Sequence, residues 1–245
     1  MKRIIAFLLL ILLSVAACSS ENQADSVKNR YSDAFFDTFD TLVQVVAYTD
    51  SEAEFKIYME HIHSRFSELH QLYNIYLNYE GINNMKTIND QAGIAPVEVD
   101  QQIIDLILFA KEHYEPTGQT TNIALGPVTK IWHFYRTEAE FDPLSAKVPP
   151  LADLQDAARY ASLDQVIIDQ EKRTVFLPDS RMSLDVGAIA KGYATELVAQ
   201  ELIEMGLNSA LLSPGGNIRA IGKPLDGMRD QWGVGIQNPE ASIVA

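Results

Sequence analysis

Leu184-Asp185-Val186-Gly187-Ala188-Ile189-Ala190-Lys191-Gly192-Tyr193 is the stretch whose reading decides the fold. It leads from an apolar residue through Asp and Gly into a helix from about Ala188. Leu197, Val198, Leu202 and Met205 follow on one face, with Gly206 placed to close the helix. A glycine just ahead of a helix lets another group approach the N–H groups at the helix N-terminus, where the dipole favours an anion. Lys191 sits about one turn in, an unfavourable place for a cation unless an anion is held there. Two readings stay open: an anion cradle using Asp185 and Lys191, or a plain Asp185 cap with a solvated lysine. The stretch is not a Walker loop, because Lys191 precedes Gly192 and no Ser or Thr follows.

Downstream, Ser209 to Leu212 reads as a strand, Pro214-Gly215-Gly216-Asn217 as a tight turn and Trp232 to Gln237 as another strand. The two glycines permit close approach of a ligand, with Asn217 as donor and acceptor; the same residues also suit a hairpin turn. Upstream, Gln165–Ile168 and Thr174–Leu177 flank a charged Asp169–Arg173 and predict a hairpin. Leu151 to Tyr160 is a short helix, preceded by a proline-containing connector over Asp142–Pro150. Thr121-Asn122-Ile123-Ala124-Leu125-Gly126-Pro127-Val128 could read a heterocycle edge through Thr121 and Asn122. Trp132 beyond it is either core or a stacking surface, and core is the commoner fate of a lone tryptophan.

Nearer the N-terminus, Phe39 to Tyr48 is a β-branched and aromatic strand. Glu52 to Tyr73 places Phe55, Met59, Ile62, Phe66, Leu69 and Tyr73 at three- and four-residue steps, one apolar face of a long helix. His61, His63 and His70 fall off that stripe and read as a solvated face without metal-ligand spacing. Leu77 to Asn89 is polar and reads as a loop, and Asp100 caps a helix that ends at Glu115-Pro116-Thr117-Gly118. Strands and helices alternate without a regular βαβ rhythm, so the expected class is α+β.

The first residues carry a different message. Lys2 and Arg3 precede an apolar run, Ile4 to Val15, which is shorter than the roughly 20 residues a membrane-spanning helix needs. A charged start, a short apolar stretch and Val15-Ala16-Ala17-Cys18 describe residues 1–17 as a secretory signal. Cys18, the only cysteine, stands where a lipoprotein would be lipidated; an ordinary cleaved signal with an incidental cysteine is the alternative. Residues 18–30 read as a polar tether and 31–245 as the folded domain. One cysteine excludes disulfides and cysteine zinc sites. With 19 basic and 33 acidic residues the net charge is −14, which repels phosphate backbones and excludes a nucleic-acid partner. A diphosphate ligand would need local positive features. The chain stops at Ser242-Ile243-Val244-Ala245, just past a strand-like segment, which reads as a cut chain.

In this order, several segments resemble the FAD:protein FMN transferase (ApbE-type) family: Phe39-Asp40-Thr41, Tyr76, Asn89, Asn122 through Gly126-Pro127, Trp132 and Val148-Pro149. The resemblance continues through Leu184 to Ala194, Gly215-Gly216-Asn217-Ile218, and Trp232 through Pro239. It implies a two-lobed, tunnelling-fold-like α+β architecture with mixed or antiparallel sheet and long helices. It further implies an exported lipoprotein on the extracytoplasmic face of a bacterial membrane. With Mg²⁺, such a protein splits FAD, passes FMN to a threonine hydroxyl of a flavoprotein subunit of a membrane redox complex, and releases AMP. By position, Phe39, Tyr76, Thr121, Asn122 and Ala124 would line the flavin or adenine pockets. Asp185 would contact FAD, Lys191 its phosphates or ribose, and the Ala188 carbonyl would be one Mg²⁺ ligand. Asp185 and Lys191 are thus the expected catalytic pair.

Two departures follow. Many members have Asp-x-Thr where this chain has Asn122-Ile123-Ala124, which implies altered rather than lost flavin contacts. The family also continues past the counterpart of Ala245, with a His-x-x-Asp-Pro-x-Thr-Gly-like stretch, so the remaining metal ligands are expected there. An FAD-storing or FAD-hydrolysing lipoprotein without transfer is the alternative, and a non-catalytic binding lipoprotein a further one.

Overall fold

The computed structural model describes residues 26–236 and 238. The signal segment, Cys18 and most of the tether lie outside them, and the first strand already begins at Asn29, inside the stretch assigned to the tether. This strand, β1 (Asn29–Thr38), was not expected; most of its residues face solvent, so it shows no apolar alternation. A two-residue turn at Phe39 and Asp40, with φ of 52° and 49°, leads into β2 (Thr41–Thr49). Left-handed conformation at both centres is what a tight hairpin requires, so the strand expected from Phe39 starts two residues later.

Helix α1 (Glu52–Tyr73) matches its periodicity. Ser51 caps it by accepting the Glu54 N–H, and the six expected stripe residues are buried together with Tyr58 and Leu72. Burying each large apolar side chain stabilises by roughly 1.5–3 kcal/mol. The α1 histidines depart from expectation: all three are half-buried and partnered. His61 Nε2 lies 2.7 Å from Glu201, His63 Nε2 2.7 Å from Asp37, and His70 accepts the Phe39 N–H. The flanks of α1 meet other elements as well as its stripe, which the period of one helix does not reveal.

Within the expected loop lies a one-and-a-half-turn helix, α2 (Met85–Asp90), secured by a capping box between Asn84 and Thr87. Strand β3 (Val97–Glu98) leads to α3 (Gln101–Tyr114), where Asp100 caps as expected by accepting the Gln102 N–H. A short 3₁₀ turn, Ile123–Leu125, then gives way to α4 (Gly126–Phe141), a helix the sequence did not announce. Only Gly126 of α4 is buried. Trp132 on it is 45% exposed, so the expected core position is corrected: α4 stands off the main core. Next come α5 (Leu151–Ala158) and the expected hairpin, β4 (Ile167–Asp169) with β5 (Thr174–Phe176). Helix α6 (Ala190–Glu204) starts two residues later than expected. Met205, expected on its apolar face, is exposed, and Gly206 ends it at φ 98°. Strands β6 (Ala210–Pro214) and β7 (Arg219–Ile221) complete the regular structure, while residues 232–236 form no strand. Trp232 instead donates its indole N–H to the Gly222 carbonyl.

The architecture is α+β, with two antiparallel sheets ordered β1-β2-β6-β7 and β3-β5-β4. Val43, Val45 and Ala47 of β2 lie opposite Pro214, Leu212 and Ala210 of β6, all buried on the face that α1 and α6 cover. Among the described residues no helix is long and apolar enough to cross a membrane.

Candidate functional site

A cleft of about 750 Å³ runs between α4, α5 and the segment Ser180–Asp185, with Tyr76 at its rim. That volume is typical of small-molecule sites. Its floor is a non-helical strand of chain, 183–185, held from two directions. Asn89 at the end of α2 accepts the Leu184 N–H at 2.7 Å and donates its amide to the Leu184 carbonyl at 2.9 Å. The Asp185 N–H donates to the Ile123 carbonyl at 2.7 Å. Gly126 allows α4 to start against this floor: a Cβ there would lie 2.4 Å from the Ser183 carbonyl oxygen. Two distant pieces of sequence, Asn89 and the Ile123–Gly126 segment, therefore fix the backbone at Asp185, which lines the cleft.

The carboxylate of Asp185 turns back to accept the Gly187 N–H at 2.9 Å, while the N–H groups of Ile189 and Ala190 both donate to the Val186 carbonyl. The amides of Gly187, Ile189 and Ala190 are thus engaged within the turn that Asp185 closes. Lys191 follows in the first turn of α6, half-buried and without an ion-pair partner among the described residues. Beside this turn, Gly215 at φ 56° packs against Thr41; a Cβ would fall 2.1 Å from the Thr41 hydroxyl oxygen, so this turn tolerates only glycine.

Of the expected ligand residues, Tyr76 and Asp185 line the same cleft. Partial burial pushes the Tyr76 phenol above its ordinary range; the charges of Asp185 and Asp40 add to this and Arg136 opposes it. Phe39 and Asp40 are not among the residues that line this cleft. Phe39 is half-buried, edge-on to Phe66 and His70 with ring centroids 6.0 and 5.5 Å away. Asn122 is committed to structure: its Oδ1 accepts the Ala124 N–H and its Nδ2 donates to the Ala161 carbonyl, both at 2.8 Å. Ala124 is buried, Thr121 is half-buried beside it, and Ala188 is exposed on the turn before α6.

Sequence reasoning missed several cleft residues. Lys86 pairs with Asp90, and Lys130 and His133 project from α4. On the far wall Arg181 lies over the Tyr160 ring, 3.9 Å from its centroid, and pairs with Asp179 at 2.7 Å. None belongs to a local motif, and only the folding of α4 and α5 gathers them. Among the described residues no group of three or more His, Cys, Asp or Glu side chains converges on a metal position. Asp185 and the Ala188 backbone do not by themselves make the oxygen cage that Mg²⁺ demands.

A family model described as the ApbE family matches residues 39–245. The FAD:protein FMN transferase of Klebsiella pneumoniae (strain 342) is 31% identical over 194 residues, covering 78% of this chain and 56% of that protein. Its namesake from Treponema pallidum (strain Nichols) is 34% identical over 169 residues, covering 64% of this chain and 45% of that protein. The chain therefore spans about half the length of these relatives. Among solved structures, the ApbE protein of Thermotoga maritima MSB8 superposes with a TM-score of 0.72 at 22% identity, over 87% of this chain and 65% of that one. The flavin transferase ApbE of Vibrio cholerae gives a TM-score of 0.70 at 20% identity, over 86% and 65%. At these identities the two structures speak for the fold.

Proposed function

The chain belongs to the ApbE family, and from that premise we propose that it binds FAD in the cleft beside Asp185 and Tyr76 and transfers FMN from it to a threonine hydroxyl of a flavoprotein acceptor. The observation that carries this reading is the anchoring of the floor: Asn89 and Ile123 fix the backbone at Leu184 and Asp185, directly ahead of the helix that bears Lys191. In a chain of net charge −14, Lys191, six residues beyond Asp185 and without an ion-pair partner among the described residues, is the local positive feature a diphosphate requires.

In the transfer, the threonine oxygen forms a bond to the flavin-side phosphorus, the P–O bond to AMP breaks, and the hydroxyl proton leaves to solvent. Such a step needs mainly positioning and charge stabilisation. Lys191 meets the diphosphate charge, Asp185 holds the turn ahead of it, and the Tyr76 and Phe39 rings flank the flavin. The family implies Mg²⁺ as well, which would neutralise diphosphate charge when bound; the described residues alone do not assemble its ligands. In a second reading the chain holds or hydrolyses FAD without transfer.

The test mixes the protein, FAD and Mg²⁺ with an acceptor domain containing the threonine and follows acceptor mass and nucleotide products. Acceptor heavier by one FMN with release of AMP supports transfer. FMN and AMP without acceptor labelling supports hydrolysis, and unchanged co-purifying FAD supports storage; no flavin uptake overturns all three. Lys191→Ala is expected to weaken FAD retention about tenfold, the order for one charge-assisted bond. Export and lipid anchoring through Cys18 complete the proposal. Incorporation of labelled fatty acid that survives in Cys18→Ser would remove the anchor.

A further inference from the structure

The two aromatic residues assigned to the flavin, Phe39 and Tyr76, sit on separate loops, yet one hydrogen-bonded chain joins them. The Phe39 N–H donates to His70 Nδ1 at 3.0 Å. With that nitrogen accepting, the other must carry the ring proton, and His70 Nε2 lies 3.3 Å from the Tyr79 hydroxyl. The same hydroxyl oxygen accepts from Asn74 Nδ2 at 3.1 Å. Asn74 Oδ1 then accepts the backbone N–H groups of Tyr76 and Leu77, both at 2.8 Å. From Phe39 to Tyr76 the links are therefore continuous: turn amide, His70, Tyr79, Asn74, loop amide.

Both ends need such a restraint. A non-glycine residue at φ 52° followed by another at 49° is an uncommon backbone state that the surroundings must hold. The Tyr76 loop begins where α1 stops at Tyr73, and Tyr76 itself is 55% exposed, so packing alone does little to fix it. His70, Tyr79 and Asn74 are half-buried, where their hydrogen bonds are shielded from competing water.

We propose that His70, Tyr79 and Asn74 are positioning residues: a polar brace that sets Phe39 and Tyr76 in one frame so that both can engage the isoalloxazine of a bound flavin dinucleotide. The inference rests on the functional reading above, since it takes these two rings as ligand contacts. His70 works as a neutral acceptor toward Phe39, so a side chain offering an oxygen near Nδ1 can replace it there and an aliphatic one cannot. Tyr79 works as the joint, through an oxygen that phenylalanine lacks.

The experiment measures FAD dissociation by flavin fluorescence, and hydrogen exchange of the segments containing Phe39 and Tyr76, in wild type, His70→Leu, His70→Asn, Tyr79→Phe and the His70→Leu/Tyr79→Phe double variant. Removing one link is expected to weaken FAD by about three- to tenfold, the order for a single hydrogen bond. The double variant should lose no more than the worse single, because both links belong to one chain. Phe39 exchange should quicken in His70→Leu and return toward wild type in His70→Asn, while the melting temperatures of these two variants stay alike. Wild-type FAD affinity in both single variants, additive losses in the double, or Phe39 exchange that His70→Asn fails to restore would each overturn the brace. A wild-type protein that takes up no FAD overturns the functional reading instead and the positioning role with it; the exchange data then tell whether the links form at all.

Discussion

Helices α1 and α4 are built from similar amounts of apolar sequence and end up in opposite circumstances. Over its 22 residues α1 buries eight side chains against the four-stranded sheet and α6; over its 16, α4 buries only Gly126. Phe134, Phe141 and, just beyond, Leu144 are 60%, 94% and 99% exposed. The first helix exists because tertiary packing rewards its stripe. The second is tethered at one end, where Gly126 meets Ser183 and Pro127 opens the first turn, and along its side by α5. Apolar residues at helical spacing therefore do not report burial; they report burial only where another element arrives to cover them. The cleft lies between these two regimes, with its floor tied to the core through Asn89 and its outer wall on the tethered side.

The contrast can be broken by substitution. Phe66→Ala on the buried stripe is expected to cost about 3–5 kcal/mol and to lower the melting temperature sharply. A value below 1 kcal/mol would deny that the α1 stripe is the centre of the core. Gly126→Ala tests the tether itself. Its methyl would meet the Ser183 backbone, and such overpacking costs about 1–3 kcal/mol. Because Ser183 adjoins the site floor, FAD retention should fall with it. Denaturant unfolding beside flavin titration reads both, and retention unchanged despite lost stability would detach α4 from the site.

Phe141→Ser, on the exposed side, should move stability by no more than about 0.5 kcal/mol. In the same protein, amide exchange in the C-terminal half of α4 should be much faster than in α1. Equal protection would mean that α4 is covered in solution. The smallest effect concerns Asp179, the ion-pair partner of Arg181 on the far wall. The Arg181 guanidinium, then the Arg181 backbone N–H, hold its carboxyl down at about 2. A depressed folded value stabilises above the ordinary 3.8 and is lost as pH falls from there toward 2. Asp179→Asn should slightly flatten the acid limb of a stability profile, by little because the pair is solvent-exposed.

The two regions also separate what could be read in advance. The α1 stripe, the Asp100 cap, the hairpin of β4 and β5 and the Gly206 stop all follow from local rules, in which each residue's neighbours in sequence are its neighbours in space. The α+β class followed from the order of those elements. Strand β1 escaped because an edge strand facing solvent carries no alternation, and α2 because a capping box of Asn84 and Thr87 resembles any polar loop. In the site, Asp185 and Lys191 stood out through their glycine-rich setting. Asn89 entered only as one point of the resemblance, with no role, and the chain from His70 to Asn74 not at all, since each is an ordinary polar residue until its partner arrives.

By itself, then, the order of amino acids determined helices α1, α3, α5 and α6, the Asp100 cap, the Gly206 stop and the family to which the chain belongs. Only the tertiary structure decided that the Asn122 amide serves the Ala161 carbonyl, that the Ile123 carbonyl holds the Asp185 N–H, and that Asn89 grips a backbone 95 residues away. The physical reason is range: a cap or a stripe is written over three to seven residues, whereas a hydrogen bond across the fold has no local spacing and exists only once packing has brought its donor and acceptor within about 3 Å.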